Sequence, residues 1–176
     1  MPKNPAPTDL VPWWRHAVIY QIYIRSFADG NADGLGDIAG IQSRLPYLAD
    51  LGIDAIWITP WYRSPMADGG YDVVDFREIA SEFGTLSEAE RLIEETHKHG
   101  LRIILDIVPN HQAANADNPA WWDVLKRGRE SAFAAYFDID WHAPGCDGRV
   151  VLPVLGGPLE DVLGRRTRRT DTGAWA

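Results

Sequence analysis

The stretch Leu101–His111, LRIILDIVPNH, restricts the possible folds more than any other part of this chain. A continuous apolar run of this length, preceded by a helical pattern and a glycine, is expected to be a buried parallel strand. Asp106 interrupts the run, and Pro109, Asn110 and His111 close it. The polar cluster therefore falls at the carboxyl end of the strand, where α/β folds gather their chemistry. A carboxylate inside a buried strand is costly unless something pairs with it, so Asp106 should have a partner. Taken alone, the segment also allows a plainer reading in which an Asp and a His merely finish a strand.

Upstream, the pattern repeats. Ala17–Ile24 alternates β-branched and aromatic residues and is expected to form the first strand. Asp37 is placed to cap a helix over Ile38–Leu51, whose Ile41, Leu45 and Leu48 share a face. Pro46 should shorten or kink that helix, and Gly52 should end it. Asp54–Thr59 then reads as a second strand and Pro60–Gly70 as a loop. Thr85 and Glu88 make a capping box ahead of a helix buried along Leu86, Ala89, Leu92, Ile93 and Thr96, and Gly100 stops it before the third strand.

Strand, helix, strand, long loop, helix, strand is a parallel α/β series. It could open either a barrel or a doubly wound sheet. No glycine-rich phosphate loop follows the first strand, which counts against dinucleotide binding. Polar residues after each strand favour a barrel with its site on the carboxyl rim. Four regions are expected: a proline-rich lead over 1–12, a partial barrel over 13–111, an inserted subdomain over 112–163 and a frayed tail over 164–176. Within the insertion, Asn118 should cap a short helix with Pro119 at its first position, and Val150–Leu155 is strand-like.

The segment Asp29–Asp37, DGNADGLGD, spaces Asp29, Asn31 and Asp33 at alternate positions with Gly34 directly after. An EF-hand loop opens the same way, with a backbone carbonyl two residues past the third ligand, here that of Leu35. Asp37 would complete an oxygen-rich set. The closing Glu of an EF-hand is absent, since Gly40 occupies its position. The loop is thus either a different calcium site or an Asp/Gly-rich turn without metal.

Composition removes several function classes. A formal net charge of −8 leaves no basic face for nucleic acid. The cluster Arg165, Arg166, Arg168 and Arg169 lies in a weakly patterned tail. Cys146 is the only cysteine, which rules out an internal disulfide. No apolar run reaches the roughly 18 to 20 residues of a membrane span, and no secretory signal is visible, so a soluble cytoplasmic protein is expected. Trp13, Trp14, Trp121 and Trp122 are expected to pack in cores rather than to stack on ligands.

The motifs YQIYIRSF, DGNADGLGD, GYDVVDF and DIVPNH, in this order across Ala17–His111, resemble the α-amylase family of glycoside hydrolases. The first half is most similar to its α-glucosidase, oligo-1,6-glucosidase and trehalose synthase branches, and residues 118–163 resemble maltooligosyltrehalose synthases. The resemblance implies the N-terminal portion of a (β/α)8 TIM barrel, strands one to three, followed by the start of an inserted domain B. It implies that Asp106 braces the floor of a sugar site and that His111 hydrogen-bonds a glucosyl unit. Tyr71 becomes a ring-stacking platform and Asp72 a sugar-hydroxyl ligand. Asp29, Asn31, Asp33, the Leu35 carbonyl and Asp37 match a structural Ca2+ loop of the oligo-1,6-glucosidase branch.

The implied partner is an α-linked glucose oligosaccharide, with neither nucleic acid nor membrane. Retaining glycosidases need a nucleophile and an acid/base carboxylate about 5 to 5.5 Å apart. In this family both come from later strands, so the chain is expected to be a truncated α-glucan-active enzyme without hydrolysis of its own. The alternative is a non-catalytic fragment or a calcium- or carbohydrate-binding piece, with the third strand as an unpaired edge that invites self-association.

Overall fold

The computed structural model describes residues 11–150 and Leu152. Residues 1–10 of the expected lead, most of the Val150–Leu155 run and the whole expected tail lie outside the described residues. In chain order the elements are β1 (Ile19–Ile22), α1 (Ile24–Phe27), α2 (Ile38–Asp50), β2 (Ala55–Ile58), β3 (Tyr62–Arg63), β4 (Asp75–Ile79), α3 (Leu86–Lys98), β5 (Arg102–Leu105) and α4 (Pro119–Arg127). The chain divides into two compact units, Met1–Trp122 and Asp123–Ala176.

The first unit is built on a parallel sheet in the order β1-β2-β5. Its register aligns Gln21 with Trp57 and Trp57 with Ile104. Side chains alternate across a strand, so Ile22, Ile56 and Ile58 point to one face, where they pack against Ile41, Leu45 and Leu48 of α2 and Ala89 and Leu92 of α3. The opposite face carries Gln21, Trp57 and Ile104. The polar rim is set by this division.

Several sequence expectations change. The first strand stops at Ile22 because Ile24–Phe27 turns into one helical turn, whose entry is held by the Ile24 N–H on the Thr59 hydroxyl at 3.3 Å. Pro46 does not shorten α2, which continues to Asp50. The single hydrogen bond lost at the proline is outweighed by burying Leu45 and Leu48 completely. Leu86 lies outside the buried stripe of α3 at 55% exposure, since it sits in the first turn beyond the sheet contact. The third strand is not buried on both faces: Leu105 is 36% and Ile107 51% exposed. Among the described residues β5 pairs only with β2, and the exposed Leu105 lies on the same face as Ile58, the side on which the helices pack.

Local signals fix the joints. Asp37 accepts the Gly40 N–H, and both bonds of the Thr85/Glu88 capping box form. Gly40 must be a glycine, because a Cβ there would run into the carbonyl oxygen of Ala28. The segment read as a loop after β2 contains β3, which pairs antiparallel with β4 further along the chain, braced by Tyr62 edge-on to Phe76 at 5.5 Å. Asn118 caps α4 as expected, its Oδ1 accepting the N–H groups of Ala120 and Trp121. Trp121 is buried, whereas Trp14 is 60% exposed and Trp13 lies under the Arg102 guanidinium at 4.5 Å.

The described part of the second unit is irregular. Two 3-10 turns, Gly128–Glu130 and Ala134–Tyr136, carry it. Asp123 anchors the start by accepting from Ser131 Oγ at 2.7 Å and Arg127 Nε at 2.9 Å.

Candidate functional site

Asp106 is the residue after β5, and its N–H extends the parallel ladder by donating to the Ile58 carbonyl at 3.1 Å. Extending the strand period by two from Ile104 places its side chain on the face that holds Trp57. The Trp57 indole Nε1–H donates to Asp106 Oδ2 at 3.2 Å. The Tyr71 hydroxyl donates to the same oxygen at 2.9 Å. The partner that sequence cost arguments required for Asp106 is therefore a pair of neutral donors.

Tyr71 links this pair to His111, whose Nε2 lies 3.0 Å from the Tyr71 carbonyl oxygen. A carbonyl only accepts, so Nε2 carries a proton, and the neutral ring is left with Nδ1 as an acceptor. Burial pushes the Tyr71 hydroxyl above its usual pKa, and the Asp106 hydrogen bond and the charges of Asp106 and Asp68 push the same way. The phenol therefore stays protonated and donating at neutral pH. Three of the four expected sugar-site residues, Tyr71, Asp106 and His111, are thus joined by hydrogen bonds at the carboxyl rim.

Asp72 stands apart from that chain of bonds. Its Oδ1 accepts the Ser64 hydroxyl at 2.6 Å and its Oδ2 the Ala67 N–H at 3.0 Å. Burial pushes its pKa up, but the Ser64 hydroxyl and the backbone N–H donors outweigh it and hold the carboxyl below the usual range. Ser64 in turn accepts the Met66 N–H at 2.9 Å, so Asp72 pins the 64–67 turn beside Tyr71. Residue type alone did not single out Trp57, Ser64 or Asp68. Counting the sheet alternation from Ile104 to Asp106 would have found Trp57. A polar cavity of about 340 Å³ opens over the β3–β4 hairpin, lined by Arg63, Ser64, Glu78 and Glu82 among others.

In the Asp29–Asp37 loop, Asp29 accepts the N–H groups of Asn31, Ala32 and Gly34, the last at 2.8 Å. Asn31 Oδ1 accepts the Asp33 N–H, Asp33 Oδ1 accepts the Leu35 N–H, and Asp37 Oδ1 accepts from Gly30 and Gly40. The chain turns through positive φ at Ala32 (65°) and Gly34 (95°). The Gly34 N–H is the main cause that holds the Asp29 carboxyl below its usual pKa, against a smaller burial effect. Hard oxygens on a short loop are the right donor chemistry for a divalent cation. Among the described residues, however, no three His, Cys, Asp or Glu side chains gather closely enough to hold one.

Parallel strands joined by helices, with an aromatic ring, a carboxylate and an imidazole linked at one rim, define an α/β scaffold of the barrel-enzyme class. Residues 21–155 match the family described as alpha amylase, catalytic domain. The chain belongs to that family, and β1, β2 and β5 are the first three strands of its (β/α)8 barrel. The matched range includes residues 112–155.

An alpha-glucosidase of Culex pipiens is 42% identical over 153 residues, covering 85% of this chain and 25% of that protein. An oligo-1,6-glucosidase of Parageobacillus thermoglucosidasius is 42% identical over 137 residues, covering 78% of this chain and 23% of its own length. The crystal structure of Bacillus licheniformis trehalose-6-phosphate hydrolase superposes with a TM-score of 0.67 at 40% identity, over 74% of this chain and 23% of that one. The chain thus spans about a quarter of the length of these relatives. Among the described residues no helix is long and apolar enough to cross a membrane.

Proposed function

We propose that this chain forms one wall of the glucosyl-binding site of an α-glucan-active retaining glycoside hydrolase or transglycosidase. The observation that carries the reading is the hydrogen-bonded series Asp106–Tyr71–His111 at the carboxyl ends of parallel strands. A sugar offers hydroxyl groups and an apolar ring face. Tyr71 offers a ring, the free oxygen of Asp106 accepts a hydroxyl, and His111 Nδ1 accepts another. Asp72 serves the same wall through its remaining lone pairs and by fixing the turn next to Tyr71. The relatives named α-glucosidase and oligo-1,6-glucosidase support α-linked glucose oligosaccharides as the ligand class.

The 176-residue polypeptide by itself should not turn over substrate. Asp72 is held ionised and cannot keep a proton for a leaving group near neutral pH. Asp106 is tied by two donors on one oxygen. The test is ligand contact: saturation-transfer NMR with maltose should detect weak binding that Asp106→Ala and His111→Ala abolish and Asp75→Ala leaves intact. Wild-type protein that shows no maltose contact, or contact indifferent to Asp106 and His111, would refute the assignment. Hydrolysis of p-nitrophenyl α-glucoside above background would refute the inactivity.

The same proposal includes Ca2+ in the Asp29–Asp37 loop, taken by Asp29, Asn31, Asp33, the Leu35 carbonyl and Asp37. Support comes from the donor chemistry and from amides that already draw these side-chain oxygens into the turn. Binding requires the acidic groups to draw closer than they stand here. Saturating Ca2+ should raise the thermal midpoint of the wild type and leave Asp29→Ala unmoved. An unchanged wild-type midpoint would remove the metal.

A further inference from the structure

We propose that Trp57 is a positioning residue for the glucosyl site, holding Asp106 so that only Oδ1 is offered to a sugar hydroxyl. The inference deepens the function proposed above and rests on it.

Asp106 Oδ2 receives two donors from separate segments of the chain, the Trp57 indole at 3.2 Å and the Tyr71 hydroxyl at 2.9 Å. They differ in backbone setting. Tyr71 comes from the Gly69–Gly70 loop, whose two glycines both have positive φ. Trp57 lies inside β2, paired on one side to Gln21 and on the other to Ile104. An indole on a central strand has little freedom to follow a moving carboxylate, so the carboxylate follows the indole. Donors at one oxygen from two directions fix the carboxylate plane, which a single donor would leave free to rotate.

The sheet explains why a tryptophan can do this. The Asp106 N–H continues the β2–β5 ladder through Ile58, so the two backbones are held in register up to the carboxylate itself. Trp57 is aligned with Ile104, and Asp106 is the next residue of β5's chain on that face. The indole must lean along the strand by only one such step to reach the carboxylate. A phenylalanine at 57 would fill most of the same volume and keep the sheet, but would lose the donor. The ring's packing against its neighbours and the donation from Nε1 are thus separable by mutation.

The experiment uses the full 176-residue chain labelled with 15N, and maltose as the probe. The Trp57 indole resonance is assigned by its disappearance in Trp57→Phe. Asp106→Asn should shift that resonance, because the acceptor loses its charge. Trp57→Phe should retain the wild-type thermal midpoint and weaken maltose binding by roughly tenfold, the scale of one hydrogen bond to a charged acceptor. An indole resonance indifferent to Asp106→Asn would overturn the proposal, as would a Trp57→Phe variant with wild-type maltose affinity. Wild-type protein without any maltose response would overturn the function reading, and the positioning role with it, even where the indole responds to Asp106→Asn.

Discussion

The Tyr71 hydroxyl donates to Asp106 Oδ2, a role it holds only while the phenol keeps its proton. Burial, the hydrogen bond to Asp106 and the nearby charges raise the Tyr71 pKa. Asp106→Asn removes one of those charges, so near-ultraviolet absorbance titration should show the Tyr71 phenol ionising at lower pH, closer to its ordinary value near 10. Asp72 behaves in the opposite sense. Its pKa is depressed in the fold, so its contribution to stability is complete above the unfolded carboxylate value of about 3.9 and is lost as pH falls through the folded value. Ser64→Ala removes the shortest donor to Asp72 and should cost about 1 kcal/mol near neutral pH. Urea midpoints should show that difference shrinking below about pH 4, once the carboxyl is protonated in both proteins. Asp106 and His111 were conspicuous in the sequence as an acid and an imidazole at a strand end, whereas Tyr71 was marked only by the resemblance of GYDVVDF to the family motif. Trp57 was hidden because an indole on a β-strand looks like core, and its second function depends on a register that only the folded sheet supplies.

At the scale of elements, the strongest joints are those where a backbone requirement meets a particular side chain. Thr85→Ala breaks the reciprocal capping box of α3 and should lower stability by about 1 kcal/mol in urea unfolding. Gly40→Ala should do more, about 2 kcal/mol or above, because the new Cβ meets the Ala28 carbonyl and neither α2 nor the preceding turn can retreat without breaking the Asp37 cap. A Gly40→Ala variant with wild-type stability would show that the approach of α2 to Ala28 is looser than described. These caps and the helix periods were legible in the sequence, since the 3.6 period and the Thr-x-x-Glu signature are local. The β3–β4 hairpin was not. A two-residue strand carries no alternation to read, and its partner was claimed by the GYDVVDF motif. The span of α2 was legible too, but the shortening expected at Pro46 does not occur, because burial of Leu45 and Leu48 outweighs the local cost of the proline.

At the scale of the whole molecule, the sheet has two outer edges, β1 and β5, among the described residues. Leu105 and Ile107 lie exposed at and just beyond the end of β5, beside unpaired backbone groups. Such an edge recruits another strand, so we expect concentration-dependent association in sedimentation velocity, weakened by Leu105→Lys. A monomer at all concentrations would contradict this. The parallel order could be read from the sequence because helix and strand alternate. The incomplete cover of β5 could not, because an apolar run looks the same whether its side chains are packed or open. The function proposed for this chain depends most on a sugar-facing wall at the carboxyl rim. The direct measurement is a backbone amide shift map of the 15N-labelled chain during maltose titration. Changes should centre on Trp57, Tyr71, Asp106 and His111 and fade away from that rim. Shifts centred instead on the cavity over the β3–β4 hairpin or on the Asp29–Asp37 loop would contradict the proposed function.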